Sequence, residues 1–143
     1  MMTIQPITVT QAWPIRHAVM WPDHPLEFVK LERDEVDGLH YGLFVDEELT
    51  SIISVFIDDT ALQFRKFATL KSRQGQGYGS HLLRYLIDVV APSYRIEKIW
   101  CNARVEKMAY YQRFGLEETG ERFEKGGIDF VILQKMFSTF LVD

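Results

Sequence analysis

The sequence predicts a single α+β domain over residues 1–143, built on a mixed, mainly antiparallel sheet flanked by helices. Three observations carry this. Apolar runs at 39–45, 49–57 and 61–70 are separated by the short acidic stretches "DEE" and "DDT", which suit hairpin turns. An amphipathic helical pattern at 78–90 then lies between two strand-like runs, the order that gives a parallel pair through a crossover. Finally, residues 116–137 form a closing hairpin that turns at "EKGG".

The remaining elements fit around this frame. "TIQPITV" (3–9) alternates as a strand, and Pro6 points to a sheet edge. "TQAWPIRHAVMW" (10–21) puts Ala12, Ile15, Ala18 and Val19 on one face of a short helix, with Thr10 as its N-cap and Pro14 in its first turn. Residues 22–38 are polar and twice interrupted by proline, which makes a loop with room for a short helical piece. The helix at 78–90 carries Tyr78, Leu82, Leu83, Leu86, Ile87 and Val90 on one stripe and stops at "APS". "RIEKIWCNA" (95–103) is the strand after it, and "VEKMAYYQRFG" (105–115) is a short helix closed by Gly115. No linker or repeat divides the chain.

Composition narrows the function. A formal net charge of −4 argues against a nucleic-acid partner, which calls for a basic surplus. Cys101 is the only cysteine, so no intramolecular disulfide can form, and as part of an apolar strand it reads as a buried small hydrophobe. His17, His24, His40 and His81 lack metal-site spacing, so no metal is expected. No apolar run approaches the ~20 residues needed to cross a bilayer. The opening "MMTIQPITVTQAW" lacks the regions of a signal peptide, so a cytoplasmic protein without a membrane partner is expected.

The chemistry concentrates in "KSRQGQGYGSHLLRYL". A glycine-rich turn entering a helix offers unpaired N–H groups and the positive end of the helix dipole to a phosphate. A P-loop would need Gly-Lys-Ser/Thr, whereas this run ends Gly79-Ser80-His81. A Rossmann fingerprint would need Gly-x-Gly-x-x-Gly after the first strand of a βαβ unit, and here the spacing is Gly-x-Gly-x-Gly after a meander. The third pattern is Gln/Arg-x-x-Gly-x-Gly/Ala, filled by Gln74, Gly77 and Gly79. It resembles motif A of the GNAT family of N-acetyltransferases. "VEKMAYYQRFGLEETG" resembles a second family segment, in which a helix bearing Tyr-x-x-x-Gly leads into the last hairpin. The likeness runs over about residues 40–136.

That resemblance implies acetyl-coenzyme A as acyl donor and a small-molecule or protein amine as acceptor, joined by direct attack in a ternary complex. It implies that the strand segment Phe67, Ala68, Thr69, Leu70 pairs with the pantetheine arm like an added strand. Gln74 with its side chain, and Gly75, Gln76, Gly77, Tyr78, Gly79 and Ser80 with their N–H groups, would hold the pyrophosphate. Lys71 and Arg73 would face the 3′-phosphoadenosine part. Tyr111, four residues before Gly115, stands where the family often carries the acid for the departing thiolate, and Tyr110 is assigned to packing. The family's asparagine seven residues before that tyrosine is Arg104 here, with Asn102 two places earlier as the candidate coenzyme A contact.

The general base is less defined. "LQFRKF" offers Gln63, Arg65 and Lys66 but no carboxylate, which leaves Asp58, Asp59, His40 or a water chain. Arg65 could meet an anionic acceptor. Ser80, His81 and Asp88 make no triad, because adjacent helical residues face differently. "WPDHPLEF" (21–28) would supply either an aromatic acceptor wall from Trp21, Pro22, Pro25 and Phe28 or simple loop packing. The missing strand carboxylate keeps a second reading open, a catalytically silent module that binds coenzyme A as a sensor. Exposed sheet edges leave room for a homodimer.

Overall fold

The structure, a computed structural model, describes residues 1–137. Residues 138–143, included in the expected domain, lie outside the described residues. Strands β1 (Met2–Ile7), β2 (Leu39–Val45), β3 (Glu48–Asp58), β4 (Ala61–Thr69), β5 (Lys98–Arg104), β6 (Glu117–Lys125) and β7 (Ile128–Met136) form one sheet in the order β1-β2-β3-β4-β5-β7-β6. Every pairing is antiparallel except β4 with β5. The mixed α+β domain expected from the pattern is therefore observed, with β1 and its Pro6 at one edge. The closing hairpin turns on Gly126 and Gly127, both at positive φ.

Helix α1 (Val9–Met20) differs from its expected form. Its N-cap is Thr8, not Thr10: the Thr8 side chain accepts from the Gln11 N–H, and the Gln11 side chain accepts from the Thr8 N–H. This reciprocal box satisfies two donors at once, which Thr10 could not do with Glu or Gln absent three residues later. Pro14 consequently falls in the helix interior rather than the first turn. Ala12 and Ile15 pack against the sheet and Trp13 against Val29 of the 22–38 loop, which holds the helix in place.

Helix α2 (Tyr78–Tyr85) continues through a π-helical turn, Leu86–Val90, into the one-turn α3 (Ala91–Ser93). The helix therefore runs through "APS" and stops at Ser93; Pro92 sits at the start of the new turn, where a missing N–H is tolerated. The strand expected from residue 95 begins at Lys98 instead. Arg95 takes φ +56 and its N–H bonds Pro92 O, while Ile96 N–H bonds Ala91 O, so these residues cap the helix. Helix α4 (Met108–Gln112) is closed as expected by Gly115, at φ +91. Leu116 N–H reaches Tyr111 O and Gly115 N–H reaches Gln112 O, the pair of bonds of a Schellman cap. The loop 22–38 does contain a short 3₁₀ piece, Leu26–Val29.

The main core lies on the face bearing α2 and α4, where Leu82, Leu83, Leu86 and Ile87 meet Ile53, Val55, Leu62 and Phe64. The opposite face is covered by α1, where Ala12 and Ile15 pack on Ile52 and Ala68. This second face also contains charge. Arg16 is fully buried and grips Asp34 with both nitrogens, Nη1 to Oδ2 at 2.6 Å and Nη2 to Oδ1 at 2.9 Å. Arg16 also donates to Val29 O and Ser54 Oγ, and Asp34 accepts from Trp13 Nε1 and the Leu31 N–H. One cluster thus ties α1, the 22–38 loop and β3 together. Burial pushes the Asp34 carboxyl up, but the bonds from Arg16, Leu31 and Trp13 outweigh it and hold the group below its usual range.

Removing one partner leaves the other as an unpaired buried charge, so Asp34→Ala should lower unfolding stability by about 3–5 kcal/mol at pH 7, read from urea midpoints. Replacing both residues with apolar ones of similar size should lose far less. Because the folded pKa of Asp34 is depressed, its stabilisation is present above the ordinary carboxylate range and disappears as pH falls through the folded value. The gap between wild type and Asp34→Ala should therefore close on acidification below about pH 4.

Candidate active site

The parallel pairing of β4 with β5 covers only Ala61–Gln63 against Lys98–Trp100. Beyond it the two strands continue, to Thr69 and Arg104, without pairing to each other. A bulge coincides with the parting. The β3–β4 register skips from Ser54↔Arg65 to Ile52↔Ala68, and Lys66 takes φ +55. The extra residue turns β4 away from its neighbour. One edge of Phe64–Thr69 thus opens on a gap, where backbone N–H and C=O groups are available to an extended ligand.

The glycine turn lies over the end of this gap. Gly75 and Gly77 have φ of +82 and +86, and a Cβ on either would meet nothing within 4 Å. Their conformation demands glycine, while the space beside them is open. Gly79 differs: a Cβ there would lie 3.1 Å from Thr69 Oγ1 and 3.3 Å from Phe67 Cζ. It is glycine so that α2 can press its first turn against β4. The first intrahelical backbone bond runs from His81 N–H to Gly77 O, and Gly77 has no side chain to cap with. The N–H groups of Tyr78, Gly79 and Ser80 are left without helical acceptors, an arrangement suited to an anion.

Side chains around the turn are partly committed. Gln74 donates from Nε2 to Thr69 O at 2.9 Å, fastening the turn to the end of β4. Arg73 donates to Glu48 Oε1 at 2.8 Å, which leaves Lys71 as the exposed cation of that pair. Gln76 is exposed and Tyr78 half-buried. Ser80 Oγ shares a hydrogen bond with Tyr110 Oη at 2.9 Å, so Tyr110 fastens α4 to α2 in addition to packing on Phe114.

Tyr111 turns the other way. Its ring packs on Phe64 and Phe67 of β4, with centroids 5.8 and 6.5 Å apart. Burial, then the nearby Cys101 of β5 and Tyr110, pushes its phenol above its usual value, so the hydroxyl stays protonated well past neutral pH. Tyr111 therefore lies against both strands that part, and Phe67 touches both it and the glycine turn. Ala68 belongs to the opposite face with Ile52, and Leu70 packs there too. Cys101 is buried, its thiol pushed up to about 12 by desolvation, an inert core residue as expected.

Other candidates fall outside this constellation. Cys101 and Ala103 face the main core, so Asn102 and Arg104 stand exposed on the opposite face from Tyr111. Asp58 and Asp59 lie at the far, paired end of β4, and Asp58 bonds Arg33. His40 is buried two strands away, its Nε2 donating to Asp34 O and its Nδ1 against Ser54 Oγ. Burial holds its pKa below the usual value, and no free lone pair remains for a base. Trp21 meets His24 and Phe28 edge to face, His24 lies tilted against Phe28, and Phe28 is half exposed. Among the described residues no group of His, Cys, Asp and Glu could hold a metal, and no helix is long and apolar enough to cross a membrane.

Sequence reading missed two contributors. Lys66 occupies a left-handed bulge that nothing in its side chain announces. Arg16 did have a signal: it falls between Ala12, Ile15 and Val19, in the apolar stripe of α1, where a charge must find a buried partner.

The two glycine roles separate experimentally. Gly77→Ala should cost about 1–2 kcal/mol through its φ alone, with Gly77→Asn milder because asparagine tolerates that region. Gly79→Val should cost about 1–3 kcal/mol by forcing α2 off β4. Denaturant midpoints for these variants measure both.

With the geometry in place, comparison with known proteins identifies the lineage. A family model described as "Acetyltransferase (GNAT) domain" matches residues 27–137. A protein of Bacillus subtilis (strain 168), named "Uncharacterized N-acetyltransferase YitI", is 31% identical over 148 residues, covering 97% of this chain and 99% of its own. Among solved structures, a GNAT family acetyltransferase from Elizabethkingia anophelis with acetyl-CoA bound superposes with a TM-score of 0.75 at 18% identity, covering 95% and 98% of the two chains. A Bacillus subtilis acetyltransferase in complex with CoA gives 0.73 at 18%, covering 96% and 100%. The parted strands, the uncapped glycine turn and the full-length similarity to a named acetyltransferase meet in one statement: the chain belongs to the GNAT family of acetyltransferases.

Proposed function

We propose that the protein transfers an acetyl group from acetyl-coenzyme A to a primary amine, of a small molecule or a protein, by direct attack while both are bound. The observation that carries this is the gap between β4 and β5, which has the uncapped turn of α2 at its end and Tyr111 along its side. Acetyl-coenzyme A supplies the activated acetyl as a thioester. The chain's own residues do the rest.

The N–H groups of Tyr78, Gly79 and Ser80, with the open backbone at Gly75 and Gly77, suit the pyrophosphate. The open edge of Phe67–Leu70 suits the amide-bearing arm, as an added strand would. Holding the thioester in register with the amine accounts for the entropic part of the rate. Tyr111 keeps its proton to high pH and gives it to the departing sulfur, while the proton that the amine sheds on forming the amide passes to solvent. The cytoplasm, where acetyl-coenzyme A is available, is the setting this reading assumes.

A specific observation favours a second reading, a silent coenzyme A sensor. The strand before the turn has no carboxylate, and both nitrogens of His40 are occupied. Tyr111→Phe separates the two. For the enzyme, kcat should fall by about 10²–10⁴ while calorimetric affinity for acetyl-coenzyme A is unchanged. The wild-type rate should show no loss from Tyr111 ionisation up to pH 10. A wild type that binds acetyl-coenzyme A but acetylates no amine would support the sensor, and one that does not bind it would end both readings.

A further inference from the structure

The gap has a second mouth, on the face that carries α1, and its charge is unbalanced. Arg65 is the β4 residue opposite Ser54, and Ser54 Oγ takes a hydrogen bond from Arg16 Nη2 at 2.8 Å. The register therefore lays Arg65 beside the buried guanidinium of Arg16. The next residue, Lys66, is the bulge, and its left-handed backbone adds a second cation at the same level. A β-bulge is a means of re-aiming a side chain, and this one stands where the strands part.

Asp34 is the carboxylate within electrostatic reach of Arg65 and Lys66, and both its oxygens are taken by Arg16. Among the described residues Arg65 and Lys66 make no ion pair. Three cations face one carboxylate here, in a chain whose formal net charge is −4. Desolvation, then the neighbouring guanidinium groups, lowers the pKa of Arg65 and Lys66 alike. Lys125, at the tip of the β6–β7 hairpin, adds further positive potential at Lys66. Arg65 is exposed and Lys66 half-buried, so both can reach an oxyanion with charge-assisted hydrogen bonds.

We infer that the acceptor is a small amine carrying its own oxyanion, a carboxylate or a phosphate, which Arg65 and Lys66 receive at the mouth of the β4–β5 gap on the face opposite Tyr111. The anion anchors there while the amine enters the gap from that side and the acyl donor from the other. This rests on the acetyltransferase reading, and it deepens it by naming the acceptor's chemistry.

The test uses protein saturated with coenzyme A, so that the glycine turn is filled and no turnover is needed. Backbone amide resonances of Arg65 and Lys66 are followed during titration with β-alanine, O-phosphoethanolamine and ethylamine. The carboxylate or the phosphate probe should shift them saturably, and ethylamine should not. The tighter of the two anionic probes assigns the source of the anion. Arg65→Gln with Lys66→Gln should weaken that binding about tenfold or more, with coenzyme A affinity and urea midpoint kept. Lys66→Gly, which removes the amine and suits the left-handed backbone, guards against a loss that is only structural. Equal binding of ethylamine, no shift with either anionic probe, or variants that bind like wild type would overturn the inference. Failure of coenzyme A to bind would instead strike the acetyltransferase reading itself.

Discussion

The parallel pairing of β4 and β5 ends after Gln63 and Trp100, and the rest of the molecule depends on that interruption. A sheet normally closes every inner edge, because unpaired backbone groups are costly when buried. Here β4 is held by β3 on one side and left open on the other, and the bulge at Lys66 commits it to that path. The opening survives because both strands are anchored elsewhere. β5 pairs along its length with β7, and α2 spans from the end of β4 back towards β5 with Leu82, Leu83, Leu86 and Ile87 in the core. The cost of the gap is carried by a sheet that is otherwise continuous.

The two faces of the gap have been given opposite characters. On the face of α2 and α4 it is lined by aromatic rings, Phe64, Phe67 and Tyr111, and ends at a turn rich in unpaired N–H groups. Tyr110 and Ser80 join the two helices over it, and the Schellman cap at Gly115 fixes the last turn of α4, which carries both tyrosines. On the face of α1 the same strand presents Arg65 and Lys66 beside a buried ion pair. A strand alternates its side chains between faces, so one segment of β4 presents aromatic rings on one side and cations on the other.

Arg16 and Asp34 matter to this division out of proportion to their number. A buried ion pair is a weak source of net stability compared with an apolar pair, but its geometry is demanding. Arg16 must satisfy Asp34, Val29 O and Ser54 together, which fixes α1 against β3 and the 22–38 loop in one arrangement. It also occupies both oxygens of Asp34, the carboxylate whose charge reaches Arg65. The charge left over at the mouth of the gap follows from how the core was assembled.

Much of this was legible in the sequence because the signals were local. Hairpin turns of acidic residues, the glycine pair at 126–127, Gly115 as a cap and the Gln74–Gly79 turn are set by backbone conformations that few residue types accept. Element edges were less legible where two caps competed, as Thr8 and Thr10 did, or where a π turn carried a helix on through "APS". What the sequence by itself determined was the order and kind of the elements, the glycine-rich turn and the presence of Tyr111 on its helix. Only the tertiary structure decided that β4 and β5 part, that Tyr111 meets Phe67 while Tyr110 meets Ser80, that Arg73 is spent on Glu48, and that Arg65 and Lys66 make no ion pair among the described residues. The reason is physical: local conformation is written in neighbouring residues, whereas strand divergence and charge balance are settled by contacts between segments far apart in the chain.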